Sequence, residues 1–215
     1  MAGQLYGIGT NNATGGFLAP LYASSPVQTI AAGTNWSYAI STNNSMAAVK
    51  KDGTLWTSGI NTNGQLGNNS IIHRDSPAQT ISSGTDWSSV SCGIKHTGAI
   101  KTDGSLWLWG FNGYGNLGDN TVVHRSSPVQ TIAGGTNWSS ISCLGESVGA
   151  IKKDGTLWVW GNNINGELGD GTTIHRSSPV QTISGGTTWS SVSCGRNHIT
   201  AKKTDGTLWT CGSNS

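Results

Sequence analysis

A short motif returns along this chain at an almost constant interval, and that repetition constrains the fold more than any other feature. Residues 154–161 are DGTLWVWG, and related copies begin at Asp52, Asp103 and Asp205. The leucines of the four copies stand at positions 55, 106, 157 and 208, so successive copies are 51 residues apart. A degenerate copy, LYGIG, occupies residues 5–9. Fixed periods of this size are typical of solenoids and propellers, in which each repeat is one structural unit.

The composition favours a fold made of strands and argues against nucleic-acid and membrane partners. The 215 residues include 32 Gly and only 34% hydrophobic residues, which excludes a helical bundle and favours strands and turns. Charged residues make up 10% and the net charge is +2, so no Lys/Arg cluster is available for nucleic acid. No apolar run reaches the roughly 18 residues of a membrane span, and residues 1–4 lack the features of a signal peptide. We therefore expect no nucleic-acid partner and no membrane insertion.

Each full repeat contains four short strand signals, which we label A to D. Strand A begins at Trp36, Trp87, Trp138 and Trp189; strand B covers 46–49, 97–100, 148–151 and 199–202; strand C begins at the four motif leucines; and strand D covers 77–81, 128–132 and 179–183. Asp-Gly between B and C predicts a tight hairpin, because Gly adopts positive φ without strain. Pro at the predicted start of D suits an outer edge strand.

Four antiparallel strands per unit and a repeated aromatic row are typical of a β-propeller blade. The tryptophans would be buried between neighbouring blades and would dominate the hydrophobic stabilisation. The sequence therefore predicts an all-β β-propeller of four-stranded antiparallel blades, as a single domain over residues 1–215. Its four repeats cover approximately residues 5–54, 55–105, 106–156 and 157–207, with a terminal extra strand at 208–212.

The segment from Trp87 to Gly118, with its Val-Ser-Cys-Gly, Asp-Gly-x-Leu-Trp-x-Trp-Gly and Gly-x-Leu-Gly elements, resembles the regulator-of-chromosome-condensation (RCC1-like) repeat. The family typically closes a ring of seven blades, whereas this chain holds about four repeats. The near-identity of the repeats looks most like bacterial and bacteriophage surface versions of the family. An exchange factor of this family would be expected to carry an inserted wedge and charged partner surfaces, and neither is visible here.

The residue types that carry catalysis form no recognisable site. Cys92, Cys143 and Cys194 are 51 residues apart, with Ser41 in the equivalent first position, and Cys211 replaces a strand C tryptophan. This spacing fits no zinc motif, and equivalent positions on adjacent blades lie too far apart for bridges, so we expect free thiols. No serine has a periodic His and Asp in triad order. We therefore expect no catalytic residues, no metal site and no cofactor.

Two of the four connections vary between repeats, which locates a candidate binding face. Alternating strands place the A–B and C–D loops on one face, where the repeats differ, and the constant B–C and D–A turns on the other. Variable loops on rigid blades can present a binding surface, and neutral drift at exposed loop tips is the alternative. The candidate binding residues of this face are Lys95, His96, Phe111, Tyr114, Glu146, Ile164, Arg196 and His198.

A second periodic set precedes strand D. It consists of the pairs His73-Arg74, His124-Arg125 and His175-Arg176. A ring of such pairs could grip an anionic ligand. Alternatively, the arginines cap loop carbonyls or pair with Asp119 or Asp170 within their own repeats.

The strands at the two ends of the chain do not form complete repeats. The last repeat lacks its own strand D after residue 212, and Pro26–Ile30 is a strand D without a complete repeat before it. We expect this N-terminal strand to complete the last blade, within one chain or between chains, and the degenerate Leu5–Gly9 strand to leave the blade. An unpaired strand edge invites association, so we expect the chain not to be a free monomer.

These observations predict a non-enzymatic structural or recognition module, most plausibly a bacteriophage virion surface, decoration or fibre-associated protein. Its partners would be copies of itself, other virion proteins or a host-surface ligand. Uncharged Gly-, Ser-, Thr- and Asn-rich repeats suit an extracellular or virion surface. The alternative is an intracellular, cytoplasmic or secreted propeller that scaffolds or inhibits another protein, and an RCC1-type exchange factor is favoured less.

Overall fold

The computed structural model describes residues 6–10, 22–28, 35–42, 45–82 and 84–213. The regular elements of this part of the chain are seventeen β-strands. They are β1 (Tyr6–Thr10), β2 (Tyr22–Gln28), β3 (Trp36–Ser41), β4 (Ser45–Lys50), β5 (Leu55–Gly59), β6 (Arg74–Gln79), β7 (Trp87–Cys92), β8 (His96–Lys101), β9 (Leu106–Gly110), β10 (Arg125–Gln130), β11 (Trp138–Leu144), β12 (Ser147–Lys152), β13 (Leu157–Gly161), β14 (Arg176–Gln181), β15 (Trp189–Cys194), β16 (His198–Lys203) and β17 (Leu208–Gly212).

Three four-stranded antiparallel sheets follow one another along the chain. Blade 1 is β3–β6, blade 2 is β7–β10 and blade 3 is β11–β14, each with its strands in sequence order. Blade 4 is the three-stranded sheet β15–β17. The predicted all-β architecture of four-stranded antiparallel blades is confirmed. The Asp-Gly hairpins are present as predicted, with Gly53, Gly104 and Gly155 at φ of 78°, 85° and 79°.

Strand D begins earlier than its proline predicted. In blade 1, β6 begins at Arg74, and Pro77 is its fourth residue. Arg74 pairs with Gly59 and Ala78 pairs with Thr57, so a bulge separates the two pairs. A bulge leaves residues unpaired, which removes the need for a proline N–H. Placing Pro at the start of the strand was therefore wrong.

The hydrophobic core lies between neighbouring blades. Leu106 on β9 of blade 2 shares a buried cluster with Trp138 and Trp160 of blade 3, whose rings meet edge to face at 6.1 Å. Leu157 on β13 packs in the same way with Trp189 of blade 4. Most tryptophans are core residues as predicted, but Trp209 on β17 is 45% exposed.

A lysine at the end of each strand B lies between two tryptophans, a feature that sequence inspection missed. Lys152 Nζ is 4.8 Å from the ring centroid of Trp138 and 4.3 Å from that of Trp158. Lys50, Lys101 and Lys203 occupy equivalent positions in the other blades. A cation over an aromatic face is attracted by the ring quadrupole, so each lysine ties strand A to strand C.

The N-terminal strands pair with each other. Strand β1 is antiparallel to β2, and Tyr6↔Gln28 and Gly9↔Ala23 reproduce the strand C to strand D register of blade 1. The prediction that the Leu5–Gly9 strand leaves its blade is therefore wrong for its described part, Tyr6–Thr10. The structure also does not join β2 to blade 4, whose sheet contains β15, β16 and β17. Pairing between chains stays a prediction.

Candidate functional site

The A–B turns and C–D loops share one face of the blades, which we call the loop face. The Phe111 backbone N–H donates to Lys95 O at 2.8 Å, joining a C–D loop to the A–B turn of the same blade. Asn162 N and Glu146 O make the same bond in blade 3, at 2.9 Å. At the other face, Trp87 N donates to Gly53 O at 3.0 Å, which joins the D–A and B–C turns. The predicted division between the two faces is confirmed.

A buried asparagine holds each C–D loop in shape. The Asn112 side chain is fully buried, and its Nδ2 donates to Asp119 Oδ1 at 3.0 Å and to the carbonyls of Thr121 and Val123, each at 3.1 Å. Its Oδ1 accepts from Leu117 N at 2.8 Å. Asn61 and Asn163 make the equivalent bonds in blades 1 and 3. The loop-face residues therefore stand on a fixed frame, although the loops lack regular secondary structure.

The periodic histidines belong to this frame. Nδ1 of His124 accepts the Asn112 backbone N–H at 3.0 Å, and His73 and His175 accept from Asn61 and Asn163 at 2.9 and 3.0 Å. Each histidine is exposed at its surface, but its ring is oriented by the loop beneath. Nδ1 must be unprotonated to accept such a bond.

Two of the three periodic arginines are paired as the structural alternative predicted. Arg125 Nη2 lies 3.3 Å from Asp119 Oδ2, and Arg176 Nη2 lies 2.6 Å from Asp170 Oδ2. Burial raises the pKa of Asp119, but hydrogen bonds from Thr121 and Asn112, together with Arg125, outweigh it and lower the pKa below its usual value. Arg74 is exposed, and Asn68 stands where the aspartates stand in the later repeats. The structure thus assembles no ring of free His-Arg pairs among the described residues.

Four rings on the loop face form an aromatic cluster that crosses from blade 2 to blade 3. The centroid of Phe111 is 5.8 Å from that of Tyr114 and 4.8 Å from that of His124. Tyr114 in turn lies 4.7 Å from His175 of blade 3. Phe111 and Tyr114 are half-buried, so part of each ring faces solvent. The two predicted aromatic residues are therefore brought together with two histidines of the second set.

Opposite charges border this cluster. Lys95 Nζ is 5.2 Å from the Phe111 centroid and 3.6 Å from Glu146 Oε1 of the next blade. Their side chains are 46% and 26% exposed, so the pair is screened by solvent and contributes little to stability. Asn116 donates its side-chain amide to Glu146 O, which fixes the backbone beneath the pair. Lys95, Phe111, Tyr114 and Glu146 thus lie on adjoining loops of two blades.

His96 does not belong to the loop face, and its selection was wrong. It begins strand β8, is 1% exposed, and would touch any side chain placed at Gly93. Neither ring nitrogen has a hydrogen-bond partner, and burial lowers the pKa of His96 to about 4. Ser45 and Ser147 stand at the positions equivalent to His96 in the neighbouring repeats, and both are buried. The small residues at these equivalent positions were the sequence signal that His96 belongs to a strand. A neutral buried imidazole cannot contact a partner.

The other three predicted residues are exposed. Ile164 is 67% exposed in the C–D loop of blade 3. Arg196 is exposed at the A–B turn of blade 4, and His198 is exposed at the start of β16. The Arg196 carbonyl lies against Gly145, where an added Cβ would approach it within 2.2 Å. In the described part of the chain, the aromatic contacts of the cluster include none of these three residues.

Exposed aliphatic residues beside the His-Arg pairs were missed by sequence inspection. They are Ile71, Ile72, Val122, Val123 and Ile174, which are 56–69% exposed. Their 51-residue spacing was visible, but spacing alone does not separate exposed apolar residues from buried ones. They add apolar surface beside the loops of blades 1 to 3.

Among the residues that the structure describes, no group of three or more His, Cys, Asp or Glu side chains is placed to hold a metal ion. All four cysteines are free, as predicted. No helix in the described ranges is long and apolar enough to cross a membrane.

Antiparallel four-stranded blades, repeated along the chain and packed face to face through tryptophan and leucine, define a β-propeller repeat protein. The family model described as "Regulator of chromosome condensation (RCC1) repeat" matches residues 52–100, 103–151 and 154–201. A second model with the same description matches residues 189–215. The chain belongs to the RCC1-repeat family.

Curated relatives share about a third of their aligned residues with this chain. The Ultraviolet-B receptor UVR8 of Arabidopsis thaliana is 33% identical over 146 residues, which are 63% of this chain and 31% of that protein. The mitochondrial RCC1 domain-containing protein RUG3 of the same plant is 31% identical over 137 residues, covering 62% of this chain and 31% of that protein. The chain therefore spans about a third of the length of these relatives.

Solved structures confirm the fold. Human WBSCR16 superposes with a TM-score of 0.77 at 20% identity, covering 91% of this chain and 52% of that one. Yeast RCC1 (Prp20), in its complex with Kap60, also gives 0.77, at 16% identity, covering 89% of this chain and 47% of that one. The blades thus have the arrangement of about half of an RCC1 propeller.

Proposed function

We propose that this chain is a non-catalytic, protein-binding propeller module whose partner docks on the loop face across blades 2 and 3. The observation that carries the proposal is the aromatic cluster of Phe111, Tyr114, His124 and His175, which spans two blades. Aromatic residues are enriched where proteins bind one another, because they bury a large area with few rotatable bonds.

The surroundings of the cluster suit a protein partner. Lys95 and Glu146 supply charges of both signs at its border, which can fix the orientation of a partner. The buried Asn112 and Asn163 hold the loops rigidly, so little entropy is lost when they bind. Yeast RCC1, which shares the fold, has been solved bound to Kap60, so a protein with this fold has a protein partner.

Site-specific photo-crosslinking tests the proposal even though the partner is unidentified. A photoreactive phenylalanine analogue replaces Tyr114 in one variant and Ile81 in a control variant. Ile81 is 51% exposed and lies at the end of strand D, toward the opposite face. The proposal predicts a defined protein adduct from position 114 that is absent from position 81. Equal labelling at both positions, or adducts only at position 81, would contradict it.

A finer form of the proposal places this module on a virus particle. It is supported by the weakly charged composition, with 10% charged residues and 32 Gly, which suits an exposed surface. Its partners would then be copies of itself, other virion proteins or a host-surface ligand. Mass spectrometry of purified particles tests this form: recovery of the chain at a fixed ratio to capsid protein supports it. Recovery only with a single cellular protein would favour the scaffold or inhibitor alternative.

A further inference from the structure

A cavity of about 210 Å³ lies between blades 3 and 4. Its wall includes Leu157, Gly169, Trp189, Ile199, Ala201 and Cys211. The polar groups of the wall are few, and the apolar side chains belong to the core cluster between the two blades. Trp209, which is 45% exposed, contributes another part of the wall and gives the cavity a side that reaches solvent.

The equivalent space between blades 2 and 3 is filled by an indole ring. Trp160 is fully buried there and shares a core cluster with Leu106 and Trp138. Its ring packs onto Gly118, where an added Cβ would lie 3.0 Å from Nε1. Trp109 fills the same space between blades 1 and 2 and packs onto Gly67.

Cys211 occupies the position of these two tryptophans in blade 4. Its Sγ would lie 2.9 Å from a Cβ at Gly169, the equivalent of Gly67 and Gly118. The leucine and tryptophan that pack around Trp160 also recur, as Leu157 and Trp189. The wall that surrounds an indole in the earlier interfaces is therefore retained, but the indole itself is replaced by a thiol.

The carbonyl that accepts the indole N–H in the earlier interfaces is also present in blade 4, where the Cys211 thiol occupies it. Trp109 Nε1 donates to Gln65 O at 2.8 Å, and Trp160 Nε1 donates to Asn116 O at 2.8 Å. Glu167 O is the equivalent carbonyl and accepts from Cys211 Sγ at 3.0 Å. A carbonyl has two lone pairs, and Gln65 O uses both when it also accepts from Thr97 Oγ1 at 2.9 Å.

We propose that this cavity is a binding site for a free indole, or for a small planar aromatic molecule of indole size. The ring would lie against Leu157, Trp189 and Ile199. An engineered apolar cavity of about 150 Å³ stays dry and binds benzene, so about 210 Å³ suits a bicyclic ring. This site is separate from the loop face and does not depend on the proposed protein partner.

Calorimetric titration of the full chain with indole tests the proposal. We expect one site with a Kd on the order of 0.1–1 mM, because a ligand of so few atoms can gain only a small binding free energy. Absence of saturable indole binding at millimolar concentration would overturn the proposal.

Two variants at one position separate a filled cavity from a lost thiol. Cys211→Ser keeps the space and should bind indole within about twofold of the original chain, whereas Cys211→Trp fills the space and should abolish binding. Equal binding to Cys211→Trp would place the ligand elsewhere and overturn the proposal.

Nuclear Overhauser contacts provide the deciding measurement if Cys211→Trp fails to fold. In the original chain with methyl-labelled Leu and Ile, indole protons should show contacts to Leu157 and Ile199. Contacts only to exposed residues would equally overturn the proposal.

Discussion

Replacing Glu167 by Gln should stabilise the protein, because the structure buries a carboxylate oxygen without a partner. Glu167 is 0% exposed, and its Oε2 accepts from Asn165 N at 2.7 Å, while Oε1 has no hydrogen-bond partner. Gln65 and Asn116 occupy this position in the earlier repeats, and Asn116 donates its amide N–H to the Glu146 carbonyl of the next blade. A carboxylate lacks that donor.

The size of the effect follows from the unpartnered oxygen. A buried polar group without a hydrogen bond costs roughly 1–3 kcal/mol, and a charged one costs more. Glu167→Gln keeps the shape and supplies an N–H, so we expect the free energy of unfolding to rise by about 1–2 kcal/mol. In a chain of this size, that corresponds to an increase in Tm of about 2–8 °C.

Urea denaturation followed by tryptophan fluorescence measures the change directly, provided that the m-value stays constant. Glu146→Gln is the matched control, because that side chain is 26% exposed and should change stability by less than about 0.5 kcal/mol. The reverse substitution at the equivalent position, Asn116→Asp, removes the N–H that Asn116 donates to Glu146 O and should destabilise the chain by about 1–2 kcal/mol. A destabilised Glu167→Gln variant, or a neutral Asn116→Asp variant, would refute the reasoning.

Three further predictions use other buried groups. Asn112→Ala removes bonds to Asp119, Thr121, Val123 and Leu117 and should lower the free energy of unfolding by at least about 3 kcal/mol, measured by urea denaturation. The control is Asn162→Ala, at a half-buried position, which should lower it by less than about 1 kcal/mol. Equal losses in the two variants would contradict this prediction. Cys211→Trp should fill roughly half of the cavity and, at ~24 cal/mol per Å³, raise the free energy of unfolding by at most about 2.5 kcal/mol, because one side of the cavity reaches solvent. A lower Tm would mean that an indole ring does not fit this space. Burial raises the pKa of Cys92 and Cys194 to about 12, so the native thiols should resist a thiol reagent at neutral pH while all four react after denaturation without reductant. The thiols lose their protons at a lower pH in the unfolded chain than in the folded chain, so they should make the free energy of unfolding fall as pH rises from about 9 toward 12. Cys92→Ala is the control for this pH dependence. A free energy of unfolding that stays constant over this range in the original chain would contradict the prediction.

The 51-residue period was sufficient to predict the blades because each strand carries a strong local signal. Strands A and C begin at the predicted tryptophans and leucines, such as Trp87 and Leu106. Strand D was misplaced because a proline was taken as its first residue, whereas a bulge accommodates Pro77 inside the strand. Bulges depend on pairing with the neighbouring strand and leave little trace in local sequence.

The candidate site was only partly predictable. Phe111 and Tyr114 were identified from loop variation, but their contacts with His124 and His175 depend on how adjacent blades stack. His96 was misplaced because variation between repeats does not distinguish an exposed loop from a buried strand end. The replacements at 167 and 211 were visible in the repeat comparison, but only burial shows that one lacks a partner and the other leaves a cavity.

Binding by the loop face is the central claim, and the affinity of the photo-crosslinked partner for a double variant tests it most directly. Tyr114→Ala combined with Lys95→Ala should weaken binding at least tenfold, since aromatic side chains supply much of the energy at protein interfaces and charges at the border orient a partner. Tm should stay within about 3 °C, because both residues lie at least partly at the surface. Ile81→Ala, on the opposite side of the blades, is the control and should bind normally. Unchanged affinity of the double variant, or a loss that is matched by Ile81→Ala, would contradict the assignment of the loop face as the binding surface.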